Sequence, residues 1–280
     1  MQLVVLSGVS GSGKSVALRA LEDAGYYCVD NLPADLIVAL ADYAKSRGEE
    51  RVAIGADARS RESLGQLPEM VDRIRERGID VRVIFLDTDD ESLLRRFSET
   101  RRPHPLAEGG RTTAEAIAEE RRVLSWPAEI GQRIDTSHLT PNQLRGWIRD
   151  LVVTDRQKLT LIFESFGFKG GAPLDADFVF DARCVLPNPH YDPQLRPLTG
   201  HDPAVVEFLE RETQATLLVE DIQAFLQRWI PRFVLDQRAS ITVAVGCTGG
   251  RHRSIYIANR LAESFASDYQ VVLRHRDTRD

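Results

Sequence analysis

The sequence predicts an α/β protein of two domains, each built on a parallel sheet covered by helices. In the first half, apolar runs at 2–7, 26–29, 52–57, 81–87 and 134–136 alternate with helix-like runs at 14–23, 34–47, 63–77, 90–99, 113–125 and 141–156. Such alternation specifies parallel strands joined by crossover helices. A second block begins near residue 158, with strands expected at 159–163, 178–180, 241–245 and 270–273 and helices at 203–212, 215–230 and 254–267. A length of 280 residues fits two domains of about 100–200 residues each. The stretch 145–158 reads as a helix leading out of the first, which divides the chain into 1–155 and 156–280.

The first strand runs into Gly8-Val9-Ser10-Gly11-Ser12-Gly13-Lys14-Ser15, which fits G-x-x-x-x-G-K-[ST] at every fixed position. Between a strand and a helix this pattern forms a phosphate loop. Glycines let backbone N–H groups converge on an anion, the helix start adds its positive end, the lysine reaches the outer phosphates and the serine ligates Mg²⁺. A nucleoside triphosphate is therefore the expected ligand.

Two carboxylates compete for the metal. Asp30 ends the second strand, and Asp87 closes Val81-Arg-Val-Ile-Phe-Leu86 at the sheet's carboxyl edge, where it either faces Mg²⁺ or caps the helix that starts near Asp90. Arginines crowd the following segment. Arg95 and Arg96 read as a solvated helix end, whereas Arg101 and Arg102, beside Pro103 and Pro105 and near His104, sit where small-molecule kinases of this fold close an arginine lid over the transferring phosphate.

A second phosphate-shaped turn follows the 241–245 strand: Gly246-Cys247-Thr248-Gly249-Gly250-Arg251-His252-Arg253-Ser254, then a helix. Its backbone, with Arg251 and Arg253, suits an anion. Cys247 also stands six residues before Arg253, the spacing of cysteine phosphatases; its competing role is a small buried residue at a strand end. The proline-rich stretch 187–200 reads as a rigid loop that offers His190, with Asp181 and Arg183 just before it, as polar partners for a sugar-like ligand.

Bulk composition narrows the classes. The net charge of −6 excludes a global cationic field for nucleic acid or an anionic membrane. Cys28, Cys184 and Cys247 are too scattered for a disulfide framework, and no apolar run reaches a membrane span, so a cytoplasmic protein with free thiols is expected. Lys14, Lys45, Lys158 and Lys169 are the only lysines; with arginine the default cation, Lys14 gains weight.

Five segments together resemble the RapZ/YvcJ family: 8–33, 85–106, 163–183, LPNPHYDPQLRPLTG at 186–200 and GCTGGRHRSIYIANRLA at 246–262. The last two are its most specific motifs. The resemblance implies a phosphate-loop kinase-like first domain, a phosphofructokinase-like second domain, and a nucleotide-binding regulator with ATPase and GTPase activity. It implies an ATP site at Gly8–Ser15, a GTP-contact stretch at Asp57-Ala58-Arg59-Ser60, and a glucosamine-6-phosphate pocket of His190, Thr248, Gly249 and Arg253. It also implies a regulatory protein partner and a homo-oligomer. Known members bind small regulatory RNA through a basic C-terminal tail. This chain ends Arg274-His-Arg-Asp-Thr-Arg-Asp280, three arginines against two aspartates, so the RNA role is not expected to transfer. An adapter that presents small regulatory RNA to an RNA-cleaving enzyme and a small-molecule kinase stand as the two alternatives.

Overall fold

The computed structural model describes all residues except 57–66, 101–102, 108–110, 125–130, 154–158, 184–185, 236–237, 239 and 279–280. The chain forms two compact units, Met1–Val152 and Val153–Asp280. No helix among the described residues is long and apolar enough to cross a membrane.

The first unit runs β1 (Gln2–Gly8), α1 (Lys14–Asp23), β2 (Tyr27–Leu32), α2 (Ile37–Ser46), β3 (Arg51–Ala56), α3 (Leu67–Glu76), β4 (Asp80–Asp87), α4 (Asp90–Thr100), α5 (Thr113–Val123), β5 (Gln132–Asp135) and α6 (Pro141–Val153). Its five strands are parallel in the order β2-β3-β1-β4-β5. Strand β1 is buried from Leu3 onward, as expected of a central strand covered on both faces. The chain extends the sheet first to one side of β1 and then to the other. The turn after β1 therefore opens at a topological switch point, where α/β sheets bind ligands.

The second unit comprises β6 (Thr160–Gly167), β7 (Phe178–Asp181), α7 (Pro203–Glu210), α8 (Thr213–Leu235), β8 (Ser240–Cys247), α9 (Arg253–Phe265) and β9 (Gln270–His275). Its four parallel strands run β7-β8-β6-β9. Leu161, Phe163, Val243 and Val245 of the central strands pack with Ile222, Leu226 and Leu261 of the helices in one apolar core.

Among the element boundaries that differ from those expected, two have local physical reasons. Helix α8 continues through Pro231 to Leu235, because burial of Val219, Ile222, Leu226 and Ile230 along one stripe outweighs the missing N–H. Strand β2 runs past residue 29 to Leu32, with a register shift between Val29 and Leu32 and Asn31 at φ 53. That irregularity swings the exposed Asp30 over Gly55, whose absent Cβ leaves room for the carboxylate.

Candidate functional site

The Gly8–Ser15 segment forms a loop wrapped over the start of α1. Gly8 has φ 148, and a Cβ there would lie 2.2 Å from the Leu86 carbonyl on β4, so only glycine lets the chain turn here. Val9 N–H then bonds that carbonyl, and Ser12 N–H bonds Val9 O. Gly13 (φ 101) precedes α1 without a side-chain cap, which leaves first-turn N–H groups and the helix's positive end facing outward. Lys14 Nζ folds back onto Gly8 O at 2.7 Å and Val9 O at 3.2 Å, and Ser15 is exposed.

Loop conformation is enforced from outside, by residues the sequence reading undervalued. Arg96 is no solvated helix end. Its guanidinium donates to Gly11 O at 3.0 Å, Thr136 O at 2.5 Å and the hydroxyls of Thr88 and Thr136. Burial, and then neighbouring Arg95, lower its pKa, so the carbonyls that receive it are what keep it in place. Thr136 Oγ1 donates in turn to Ser12 O at 2.9 Å. These bonds engage the carbonyls of Gly11 and Ser12 from outside the loop, while the N–H groups of Val9 and Ser12 are held by Leu86 O and Val9 O.

Asp87 neither caps α4 nor stands open to a metal. The cap is Asp89, whose carboxylate accepts from Ser92 N at 2.7 Å and Ser92 Oγ at 3.0 Å. Asp87 Oδ1 takes Thr88 N–H and Arg121 Nη1, while Oδ2 takes Arg133. Burial alone would raise its pKa, but the hydrogen bonds and charges of Arg133 and Arg121 outweigh it and hold the carboxyl below the usual range. A lowered folded-state value gives stability that is present above the unfolded pKa near 3.8 and is lost as pH falls through the folded one. Asp87→Asn should therefore lower the melting midpoint at pH 7 and shrink the further loss between about pH 5 and pH 2, measured by thermal denaturation across that range. An unchanged acid limb would remove Asp87 from the account.

For Asp30, in contrast, no cation partner is described; its Oδ1 accepts Asn31 N–H at 2.9 Å. Arg101, Arg102 and the Asp57-Ala58-Arg59-Ser60 stretch lie outside the described residues.

In the second unit the turn after β8 folds into a tight cradle. Gly200 allows the 187–200 loop to lie against it: its N–H bonds Arg251 O at 2.8 Å, and a Cβ would meet His252 O at 2.3 Å. Cys247 is 3% exposed, with Sγ 3.2 Å from Ser254 Oγ. Burial would raise its thiol pKa, yet the Ser254 hydroxyl and the N–H groups of Ser254, His252 and Gly250 outweigh it and hold the thiol below its ordinary value. The same backbone donors that suit an anion thus converge on this sulfur. Cys28, the other described cysteine, is also free, and burial pushes its thiol up to about 11.

Arg253 is 4% exposed at the first position of α9, where the helix dipole disfavours a cation. It is held by Arg183 O at 2.8 Å, Leu186 O at 3.0 Å and Thr248 Oγ1 at 3.3 Å, and its Nε has no partner among the described residues. Thr248, Gly249, Arg251 and His190 are exposed. Arg251 donates to Pro197 O, and the His190 backbone is fixed by Asn188 and Arg196. Asp181 and Arg183 are paired with each other. Burial and Arg251 lower the pKa of His252, while hydrogen bonds to the backbone of Leu195, Leu198 and Arg196 act the other way.

Two of the C-terminal arginines are buried. Arg274 and Arg276 are 2% and 4% exposed, and Arg276 donates to Gly167 O and Gly171 O.

Comparison with known proteins agrees with both units. The model of the RapZ-like N-terminal domain matches residues 1–156, and that of the RapZ C-terminal domain matches 159–279. The chain belongs to the RapZ family. Among RapZ-family relatives, a nucleotide-binding protein of Thiobacillus denitrificans is 55% identical over 277 residues, covering 99% of each chain. One of Chromobacterium violaceum, also named a nucleotide-binding protein, is 54% identical over 276 residues, covering 99% of this chain and 98% of its own. A shikimate kinase from Bacteroides thetaiotaomicron is similar in structure over 54% of this chain and 98% of its own, at 12% identity and a TM-score of 0.38.

Proposed function

We propose that this RapZ-family chain is a cytoplasmic, nucleotide-binding regulator: its first unit binds and slowly hydrolyses ATP or GTP, and its second binds a sugar phosphate of the glucosamine-6-phosphate kind. The observation that carries the reading is the Gly8–Ser15 loop. An uncapped helix start, loop carbonyls engaged by Arg96 and Thr136, and Lys14 within the loop suit the negative charge of a nucleotide's outer phosphates.

Mg²⁺ is usually held by phosphates, a hydroxyl and one or two carboxylates, a set that Ser15 and one of Asp30 and Asp87 fit. Asp30 is the better fit, because Asp87 would have to release an arginine first. When bound, the metal would supply charge neutralisation at the outer phosphates. Lys14 would turn from Gly8 O and Val9 O to those phosphates, and Arg101 or Arg102 would close over them. The Asp57–Ser60 stretch remains the proposed GTP contact.

For the second unit, the free Nε of Arg253 and the exposed Thr248 and Gly249 support phosphate capture, with His190 and Arg251 at the rim for sugar hydroxyls. Cys247 is buried beneath this cradle, which favours a structural role over phosphatase chemistry. The buried Arg274 and Arg276 disfavour RNA binding through this end of the chain. A regulatory protein partner and self-association complete the proposal. Calorimetric titration with MgATP, with free-phosphate release followed in parallel, tests the first site. Stoichiometric phosphoryl transfer to a small acceptor would instead favour a kinase.

A further inference from the structure

Helix α5 places one carboxylate where the other buried positions are apolar. Ala116, Ile117 and Leu124 line its inner face, and Glu120, 0% exposed, lies on the same face. Its oxygens take Ser10 N–H and Ser10 Oγ, each at 2.7 Å, and His104 Nε2 at 3.2 Å. His104 Nδ1 accepts Leu106 N–H at 3.1 Å, so the ring proton is on Nε2 and points at Glu120. The imidazole also packs 5.0 Å from the Phe97 ring, and Phe97 lies beside Gly11. Three residues, on the phosphate loop, the 103–107 segment and α5, thus form one buried chain of hydrogen bonds.

A negative charge beside a phosphate site repels the ligand, and a buried carboxylate is costly unless it is fully bonded. Its use here is directional. By taking Ser10 N–H and hydroxyl together it fixes the second variable position of the loop, and thereby the aim of Gly11, Ser12 and Gly13 that follow. Displacing 103–107 breaks the His104 bond and strips Glu120 of one of its three donors, loosening its hold on Ser10.

We propose that Glu120 is a positioning residue that sets the phosphate loop through Ser10 and ties it through His104 to the 103–107 segment, so that nucleotide binding and ordering of that segment are coupled. This rests on the nucleotide reading above. Ser10→Ala, His104→Ala, their double variant and Glu120→Gln, each checked for its melting midpoint, separate the possibilities.

Amide exchange of the peptide covering residues 8–13, without ligand, should speed up about tenfold in His104→Ala, although His104 lies outside that peptide. Affinity for MgATP should fall about tenfold in the same variant. The double variant should be no weaker than the weaker single one, and His104→Gln, which restores a donor, should recover most of both losses. Unchanged loop exchange in His104→Ala, or losses that simply multiply in the double variant, would overturn the coupling. If His104→Ala does not fold, Glu120→Gln must show the same exchange increase, and unchanged exchange there has the same force. A wild-type chain that binds no MgATP would sink the nucleotide reading alone, because the exchange measurements still judge the tie between His104 and the loop.

Discussion

Lys14→Ala is expected to weaken MgATP binding by about 100-fold or more and to abolish phosphate release, while leaving the unliganded fold intact. Lys14 is half-buried, and its ammonium donates to the loop carbonyls of Gly8 and Val9. In the bound state it would make charge-assisted hydrogen bonds of about 1.5–3 kcal/mol each. Two of them amount to at least about 3 kcal/mol, or about two orders of magnitude or more in affinity. Calorimetry on the variant, with its melting curve as the folding control, checks this. Unaltered ATP affinity would show that the loop is a glycine-rich turn and nothing more.

The second large effect belongs to Arg253. Arg253→Ala should abolish sugar-phosphate binding and destabilise the second unit, because the guanidinium satisfies Arg183 O and Leu186 O as well as offering its free Nε to an anion. A buried carbonyl left without a partner costs about 1–3 kcal/mol. A combined loss of about 3 kcal/mol would lower the melting midpoint by roughly 10 °C in a unit of this size. Arg253→Lys keeps the charge but not the planar fork, so it should recover little of either property. Scanning calorimetry with and without the ligand separates the two losses. Full binding by Arg253→Ala would move the anion site elsewhere.

Elements, topology class and both phosphate-shaped turns were legible in the sequence because periodicity and glycine spacing are local signals. The residues that hold those turns in shape were less so, since their partners are distant in the chain. Asp87 looked like a metal ligand or a cap because a carboxylate at a strand end serves either role; only the fold brings Arg121 and Arg133 to it. Arg96 looked solvent-borne in a charged helix, and its target, the loop carbonyl of Gly11, lies 85 residues away. Glu120 did leave a trace: in the run 116–124 it occupies the apolar stripe that Glu119 avoids. A charge on such a stripe demands partners. Arg274 and Arg276 taught the reverse, because arginines near a chain's end read as solvated until β9 and the turn after it bury them.

The most direct test of the two-site account is a pair of calorimetric titrations with glucosamine-6-phosphate, one on the free protein and one on the protein saturated with MgATP. The account predicts a single site per chain that Arg253→Ala eliminates. It also predicts that any change in sugar-phosphate affinity caused by MgATP is matched by an equal change in MgATP affinity caused by the sugar phosphate. Absence of sugar-phosphate binding in both titrations, or binding that survives Arg253→Ala, would contradict it.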